Sequence, residues 1–525
     1  MTLCLSQLLT HGGKTSDSAP AISDRSGTLS YGELIDLVHK VSHGVIAAGA
    51  RHHDRVAVYL PKQIETVATM FGTAHAGCVF VPVNPLLKPA QVQHILTDCD
   101  VRILVTSRSR AAGLKDILGN CPKLEQIVLI DEPKDLAVPQ ALATWQDFTG
   151  APAVTPHRII DTDVVSILYT SGSTGKPKGV VLSHKNMVTG AFSVSEYLEN
   201  TPDDKLLAVL PFSFDYGFSQ LSTAFCRGAS VVLMEYLMPN DVIRKVADER
   251  ITGLAGVPPL WNQLAALDWP GDVTNHLRYI TNSGGAMPKV TLGALRSALP
   301  QTKPYLMYGL TEAFRSTFLP PEQIDQRPES MGKAIPNAEI MVVNDDGQLA
   351  QPGETGELVH RGSLVSLGYW NSPEKTAERF KPVPAIKDGL VMDEIAVWSG
   401  DRVRIDDEGY LFFVGRRDEM IKTSGYRVSP NEVEEALFST GLVSEAVALG
   451  AADEQLGQAI AVVVMPAPNG AKDTAALMQA LRQELANFML PKHVLWLDEM
   501  PRNANGKIDR SGIAQSLPDL LKDAG

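Results

Sequence analysis

With 525 residues, 44% of them hydrophobic and 20% charged, the chain has the composition of a folded globular protein and is too long for one ordinary core. Its formal net charge of −13 disfavours nucleic acid as the main partner. All five cysteines lie in the first half of the chain and none forms a CxxC pair, so neither a disulfide framework nor a zinc site is expected. No stretch approaches the ~20 apolar residues of a membrane span, and the first residues lack a basic region, so we expect a cytoplasmic protein.

Up to about residue 300, short β-branched runs alternate with segments of helical periodicity. Residues 55–60, 79–83 and 101–106 predict strands, and residues 31–48 and 89–98 predict helices between them. Such alternation favours an α/β fold with doubly wound sheets.

The pattern changes in the last third of the chain. From about residue 335 to 415, short apolar runs alternate with Gly/Asp turns, which predicts a β-rich subdomain at the end of a large N-terminal domain, residues 1–415. Residues 416–525 predict a small, mobile α+β domain of ordinary size. Its expected elements are two helices, 431–440 and 474–488, and two strands, 446–449 and 459–465.

The stretch YTSGSTGKPKG, residues 169–179, joins two predicted strands at 164–169 and 179–182. It is not the P-loop of nucleotide hydrolases, which needs GxxxxGK[ST] between a strand and a helix, and its glycine spacing does not fit the dinucleotide motif. Its backbone N–H groups, hydroxyls and lysines suit an anionic phosphate chain. Taken alone, a solvated surface hairpin explains the loop equally well.

Further motifs follow this loop: NSGGAMP (282–288), YGLTE (308–312), GELVHRG (356–362), a long block from WSGD to NEVE (398–434) and PRNANGKIDR (501–510). Together they resemble the adenylate-forming superfamily, which includes acyl-CoA synthetases, peptide-synthetase adenylation domains and beetle luciferases. The resemblance covers nearly the whole chain and implies that a carboxylate attacks the α-phosphorus of ATP and releases pyrophosphate. A carboxylate is already ionised at neutral pH, so this step needs no general base.

The same resemblance implies a nucleotide site. Lys507 matches the catalytic lysine that bridges the α-phosphate and the attacking carboxylate, Thr311 the α-phosphate contact, and Glu312 the ligand of Mg²⁺. Asp401 matches the carboxylate that binds both ribose hydroxyls. The other expected ATP contacts are Thr170, Ser171, Gly172, Ser173, Thr174, Gly175 and Lys178 at the phosphates, Gly284, Gly285, Ala286, Tyr308 and Gly309 around the adenine, with Tyr308 stacked on the base, and Arg416.

A second reaction, in which the acyl group passes to a thiol, is also implied. Family members perform it after the C-terminal domain rotates, and Asp418 matches the hinge. Lys422 and Gly425 would then line the thiol tunnel, where a glycine lets a pantetheine arm approach the backbone. The acceptor is expected to be coenzyme A or the phosphopantetheine of a carrier protein.

The acid pocket is expected around LPFSFDYGFSQL, residues 210–221. Asp215 resembles the aspartate with which amino-acid-activating relatives bind the substrate ammonium. A buried carboxylate is costly without a positive partner, and either a substrate amine or Arg315 would supply one. Arg315 is equally suited to bind a second carboxylate of the acid. The other pocket candidates are Tyr216, Ser219, Val257, Asn282, Leu310 and Phe314.

These observations favour an AMP-forming, Mg²⁺-dependent acid–thiol ligase that makes an acyl-adenylate from a small carboxylic acid and passes the acyl group to coenzyme A. An amino-acid-adenylating enzyme that loads a separate acyl carrier protein is the alternative. A luciferase-like oxidative enzyme and a non-catalytic nucleotide-binding relative belong to other classes. A homodimer is compatible with all of these interpretations.

Overall fold

The computed structural model describes residues 4–11, 16–87, 89–170, 177–383, 393–416, 421–423, 426–428, 430–453, 456–485 and 487–523. Within these residues, no helix has the length and hydropathy that a bilayer crossing requires. The five cysteines are all buried free thiols.

A seven-stranded sheet forms the first layer of the N-terminal part. In spatial order its strands are Ala141–Thr144, Gln126–Leu129, Val101–Thr106, Arg55–Tyr59, Val79–Pro82, Val164–Thr170 and Lys178–Ser183. The first six pair in parallel, and the last two form an antiparallel hairpin. Parallel strands need long crossovers, which the intervening helices provide. The last two strands flank residues 171–176, among which most of the expected phosphate contacts fall.

A second sheet of fourteen strands follows in the described part of the chain. In spatial order its strands are Ala338–Val343, Thr355–Gly362, Ile395–Ile405, Leu411–Arg416, Ser330–Ala334, Thr317–Leu319, Lys303–Tyr308, Tyr279–Asn282, Gly253–Gly256, Lys205–Ala208, Ser230–Leu233, Pro20–Asp24 and Gly27–Ser30, with Phe380–Pro382 beside Ile395–Ile405. Its middle strands are parallel, whereas the strands from 317 to 416 pair antiparallel.

Helices pack between and around the sheets. Their bounds are Leu8–His11, Tyr31–Ala47, Ile64–Ala76, Pro89–Asp98, Arg108–Leu118, Trp145–Thr149, His184–Tyr197, Asp215–Phe225, Pro239–Asp248, Pro258–Ala265, Lys289–Ala298, Pro373–Arg379, Pro430–Ser439, Thr474–Glu484 and Arg510–Asp523. The largest core joins both sheets: the ring of Phe218 stacks on Phe80, 5.4 Å away, and on Phe71, 6.0 Å away. Burial of such aromatic rings dominates core stability.

The C-terminal part has its own sheet and cores. Its strands in spatial order are Tyr426–Val428, Ile421–Thr423, Gly457–Pro466 and Val443–Asp453, with His493–Trp496 parallel to Gly457–Pro466. One face of this sheet packs on helices Pro430–Ser439 and Thr474–Glu484, and the other on Arg510–Asp523. A separate core of this kind is typical of a domain.

The α/β fold class is confirmed, with corrections at the ends of elements. The predicted helix 474–488 ends at Glu484, because Leu485 has an extended backbone, and a short 3₁₀ turn covers Asn487–Met489. The predicted strand 446–449 extends over Val443–Asp453. The domain boundary at 415/416 stays a prediction, and the expected hinge, Asp418, lies outside the described residues.

Candidate active site

Four parallel strands of the large sheet end side by side. They are Lys205–Ala208, Gly253–Gly256, Tyr279–Asn282 and Lys303–Tyr308. In open α/β sheets, ligands bind in the crevice outside the carboxyl ends of the strands. The predicted site residues at 215, 257, 284–286 and 308–312 all follow these ends, so the topology collects them at one edge of the sheet.

Lys507 reaches this edge from the C-terminal part of the chain. Its ammonium lies 4.4 Å from the centre of the Phe214 ring, and its Cε would lie 2.9 Å from a β-carbon built on Gly284. Gly284 has a φ of +80°, which favours glycine. The missing side chain at position 284 therefore leaves the space through which Lys507 enters the crevice.

Contacts with the N-terminal part hold the loop that carries Lys507. The side-chain amide of Asn84 donates to the carbonyl of Ala504 and, at 3.3 Å, to Oδ1 of Asn505. Further along the interface, the backbone N–H of Lys289 donates to Glu435 at 3.2 Å. In the conformation that has these contacts, Lys507 lies beside the residues expected to bind the nucleotide.

Glu312, Lys178 and Tyr369 form a half-buried polar group. The hydroxyl of Tyr369 donates to Oε1 of Glu312 at 2.5 Å, and Nζ of Lys178 donates to the same hydroxyl at 2.9 Å. Lys178 Nζ also lies 3.6 Å from Glu312 Oε1. Burial lowers the pKa of Lys178, whereas the Glu312 carboxylate acts against this shift. The group thus offers one ammonium and one carboxylate, which are partners for a phosphate and for a hard cation.

Tyr308 and Asp401 form a hydrogen-bonded pair, with the phenol donating to Oδ2 of the carboxylate. Tyr308 ends one strand of the large sheet, and Asp401 lies 5% exposed in the strand Ile395–Ile405. In the paired strands Asp401 is opposite Arg416, whose side chain lies outside the described part. Two residues expected to contact the nucleoside are therefore neighbours, and the stacking of Tyr308 on adenine stays a prediction.

Asp215 is a buried carboxylate that is hydrogen-bonded to Thr311. It starts the helix Asp215–Phe225 and is 3% exposed, and its Oδ1 accepts a hydrogen bond from Thr311 Oγ1 at 2.8 Å. Between these two described residues, Asp215 and Arg315, there is no ion pair within 4.0 Å, although the charge of Arg315 acts on Asp215, and which positive group compensates Asp215 stays a prediction. Burial raises the pKa of Asp215, and the nearby charges of Arg315 and Lys507 oppose this. Thr311, expected at the α-phosphate, makes this contact instead.

The candidates for the acid pocket divide into two groups. Tyr216, Ser219 and Arg315 line one buried cavity between the helix Asp215–Phe225 and the parallel strands. The remaining candidates, Asp215, Val257, Asn282, Leu310 and Phe314, do not line it. Asn282 instead donates to the carbonyl of Gly285 at 2.9 Å, which closes the turn after its strand, and Phe314 packs on Gly190, where a β-carbon would lie 2.4 Å from its ring.

Several expected contacts fall outside the described atoms. Residues 171–176 and Gly425 are not described, and for Lys422 only the backbone is. Thr170 and Lys178, which flank the phosphate loop, are directly opposite each other in the hairpin. The hairpin predicted for this loop is therefore present up to both ends of the undescribed segment.

The sequence alone missed three residues that contact predicted ones. Tyr369 binds both Glu312 and Lys178, Phe214 lies under the ammonium of Lys507, and Ser283 accepts from Arg315 at 2.9 Å. Phe214 and Ser283 lie within the stretches 210–221 and 282–288 quoted above, and this was an available signal. Tyr369 has none, because it reaches the site through a backbone pairing of 367–370 with the strand Lys178–Ser183.

The model of the AMP-binding enzyme family matches residues 9–370, and that of the AMP-binding enzyme C-terminal domain matches residues 432–507. The chain belongs to the AMP-binding enzyme family. Its place in the adenylate-forming superfamily, inferred above from motifs, is thereby confirmed.

Relatives of this AMP-binding enzyme include two classes of protein. Indoleacetate–CoA ligase of Aromatoleum aromaticum is 30% identical over 93% of each chain. Gramicidin S synthase 2 of Aneurinibacillus migulanus is 28% identical over 93% of this chain, which spans only 10% of that protein. The crystal structure of the anthranilate CoA ligase AuaEII in complex with anthranoyl-AMP is similar over 100% of this chain and 99% of that one, with a TM-score of 0.88 and 25% identity. The chain is thus an AMP-forming ligase.

Proposed function

We propose that this AMP-binding enzyme joins a small carboxylic acid to the thiol of coenzyme A while ATP is cleaved to AMP and pyrophosphate. The position of Lys507 carries this proposal. Its ammonium enters the crevice beside Gly284, within electrostatic range of Asp215, at the edge where Thr311 and Glu312 also lie. A positive group at this point can hold two anions against each other, which is what acid activation requires.

In the first half-reaction, an oxygen of the substrate carboxylate attacks the α-phosphorus of ATP. A new P–O bond forms to the acid, the bond from the α-phosphorus to the bridging oxygen breaks, and pyrophosphate leaves with that electron pair. Lys507 neutralises negative charge on the attacking carboxylate and on the α-phosphate. Lys178 neutralises the negative charge of the outer phosphates. Asp401, beside Tyr308, binds the ribose.

Glu312 would hold Mg²⁺, because a carboxylate oxygen is the ligand this ion prefers and the phosphates and water supply the rest. When bound, the ion neutralises phosphate charge. Tyr369 positions Glu312 for this role, since its hydroxyl already donates to one carboxylate oxygen and leaves the other available. A phenol whose pKa is raised by burial keeps its proton and remains a donor at neutral pH.

In the second half-reaction, the sulfur of the thiol attacks the carbonyl carbon of the acyl-adenylate and AMP leaves. The motif residues assigned to this step are Asp418, Lys422 and Gly425, whose side-chain surroundings lie outside the described part of the chain. Coenzyme A is preferred as acceptor because the indoleacetate– and anthranilate–CoA ligases are similar over nearly their whole lengths.

The alternative, loading of an amino acid onto a carrier protein, is favoured by the burial of Asp215 and by the gramicidin synthase relative. A substrate ammonium would compensate the Asp215 carboxylate, whose ionisation burial disfavours. Under this alternative, amino acids support ATP–pyrophosphate exchange and Asp215→Ala abolishes it.

The proposal is tested by ATP–pyrophosphate exchange with a panel of fatty, aryl, dicarboxylic and amino acids, followed by thioester formation with coenzyme A or with a holo-carrier protein. We expect exchange with a non-amino acid and faster transfer to coenzyme A. Exchange with amino acids alone, lost in Asp215→Ala, would establish the alternative. No exchange with any acid would refute both.

A further inference from the structure

Arg315 is a buried guanidinium with unused hydrogen-bonding groups. The residue is 1% exposed, and its Nη1 donates to Ser283 Oγ at 2.9 Å. Its Nε and Nη2 have no hydrogen-bond partner among the described residues. Buried polar groups are almost always bonded, so two orphaned donors on one side chain call for an explanation.

The two orphaned groups lie on one edge of the guanidinium. Nε–H and the adjacent N–H of Nη2 point in the same direction and are spaced to meet the two oxygens of a single carboxylate. The Ser283 hydroxyl occupies Nη1, on the other side, and so leaves this edge clear. The geometry of the free edge therefore selects a planar pair of oxygens.

The charge of Arg315 also lacks a direct counter-ion. Within the described chain, no carboxylate lies within 4.0 Å of it, and its other neighbours are the Tyr216 ring, 4.6 Å away, and the Tyr197 hydroxyl, which donates to Met307 and also interacts with Arg315. Asp215 is close enough to act on it electrostatically but bonds Thr311. An isolated buried cation is expensive, whereas a bonded pair is tolerated.

Arg315 lines the cavity described above together with further polar groups that lack partners. Gln220 Oε1 and Thr223 Oγ1 are buried without a hydrogen bond among the described atoms, and both residues line the same cavity. The cavity is small, with a volume of about 20 Å³, and its other walls are apolar residues such as Leu206 and Met307. A space of this size takes a group of about the size of a water molecule.

We propose that Arg315 binds a second carboxylate of the acid substrate, so that the enzyme activates a dicarboxylic acid. This inference rests on the proposed function and specifies its substrate class. One carboxylate of the acid meets Lys507 and reacts, and the other receives two parallel hydrogen bonds from Nε and Nη2 of Arg315. Asp215 lies within electrostatic range of both cations.

An ammonium or a neutral apolar tail does not fit this edge. An ammonium has only hydrogen-bond donors, and so has the guanidinium, so the two groups cannot bond to each other. An apolar tail leaves the charge of the guanidinium uncompensated and its N–H groups without acceptors. A carboxylate removes both costs, and its extra negative charge is accommodated when Asp215 takes up a proton, which its burial favours.

The experiment compares straight-chain and aromatic dicarboxylic acids with their own monomethyl esters in ATP–pyrophosphate exchange. The ester keeps the length and shape of the acid and removes one charge. We expect kcat/KM to favour the best diacid over its ester by at least about 100-fold, since a site built to hydrogen-bond a group rejects analogues that lack it.

In Arg315→Met this ratio of diacid to ester should fall to near one, and in Arg315→Lys, which keeps the charge without the planar edge, it should be intermediate. The matched control is Arg404→Met, the same change at an exposed arginine stacked on Phe412, and it should keep the wild-type ratio.

Equal use of acids and esters by the wild type, or an unchanged ratio in Arg315→Met, would overturn the Arg315 proposal while leaving acid activation in place. If no acid supports exchange, the proposed function fails, and calorimetric titration of the diacids into the protein then decides about Arg315 alone. Binding by the wild type that is absent in Arg315→Met supports the assignment, and no binding by the wild type overturns it. If Arg315→Met does not fold, the wild-type ratio and Arg315→Lys carry the same comparison.

Discussion

Lys507 and Gly284 occupy adjoining space: a β-carbon on Gly284 would lie 2.9 Å from Cε and 3.0 Å from Nζ of Lys507. A β-carbon at this distance would push the end of the Lys507 side chain out of its position. The glycine of NSGGAMP and the lysine of NANGKID are more than two hundred positions apart, and their fit couples the C-terminal part of the chain to the crevice.

We predict that Gly284→Ala slows adenylate formation by about 100-fold, because the added methyl group displaces the lysine and a misplacement of about 1 Å can cost this much. The positive φ at position 284 adds backbone strain. Pyrophosphate exchange measures the effect. Gly293→Ala is the matched control, since a β-carbon there meets nothing within 4 Å, and it should leave the rate near that of the wild type. Equal rates in both variants would show that the contact does not matter.

Removal of the ammonium itself should separate the two half-reactions. We expect Lys507→Ala to slow adenylate formation by about 100-fold or more, as for the loss of a group that stabilises charge in a transition state. Thioester formation from a pre-made acyl-adenylate should continue, because that step requires no new P–O bond. Lys522→Ala, at an exposed lysine of the last helix, is the control. Equal loss of both steps in Lys507→Ala contradicts the assigned role.

We expect the hydroxyl of Tyr369 to lower the Mg²⁺ concentration that the enzyme needs for activity. In Tyr369→Phe, Glu312 loses its 2.5 Å hydrogen bond and its orientation, so the Mg²⁺ concentration for half-maximal exchange should rise about 10-fold. Titration of Mg²⁺ at saturating ATP measures this change. Tyr410→Phe, where the ring packs against Arg327 and Lys333, serves as control. An unchanged Mg²⁺ dependence in Tyr369→Phe would remove the residue from the site.

From the burial of one histidine we predict how the free energy of unfolding depends on pH. His360 is fully buried with Nδ1 2.9 Å from Ser316 Oγ, and burial lowers its pKa to about 3 from an ordinary 6.5. Between these values the unfolded chain binds a proton that the folded chain does not, so stability is lost as the pH falls below 6.5. From pH 7 to pH 5 the cost is about 2 kcal/mol for this group.

Urea denaturation of the wild type and of His360→Asn at pH 7 and pH 5 checks this prediction. Asn keeps a polar atom for Ser316 and does not titrate. The free energy of unfolding of the variant should therefore fall by about 2 kcal/mol less than that of the wild type between pH 7 and pH 5. Identical losses would mean that His360 is protonated in the folded state or that its burial has no such effect.

The fold was predictable where local pattern and tertiary packing agree. The helix Pro89–Asp98 and the strand Val101–Thr106 have the predicted bounds, because apolar periodicity and burial mark the same residues. The helix ending at Glu484 was predicted too long, because Leu485 continues the apolar pattern but takes an extended conformation. Local sequence does not encode where tertiary contacts end a helix.

The site was predictable only where a motif marks it. Lys507, Glu312 and Asp401 were proposed as site residues from motifs, and their roles stay predictions; the topology of the parallel strands explains why residues 215, 257, 284–286 and 308–312 lie at one edge of the sheet. The hydrogen bond from Thr311 to Asp215 was not predicted, because the two residues are 96 positions apart and no local pattern links them. Tyr369 lies 57 positions from Glu312, and no local pattern links them.

The central claim is that a carboxylate oxygen of the substrate becomes bonded to the α-phosphorus of ATP. It is tested most directly by supplying the acid that supports exchange with both carboxyl oxygens labelled as ¹⁸O, adding coenzyme A, and analysing the products by mass spectrometry. The account predicts AMP that carries one labelled oxygen, unlabelled pyrophosphate, and a thioester that keeps the other label. Label in inorganic phosphate, or AMP without label, would contradict it.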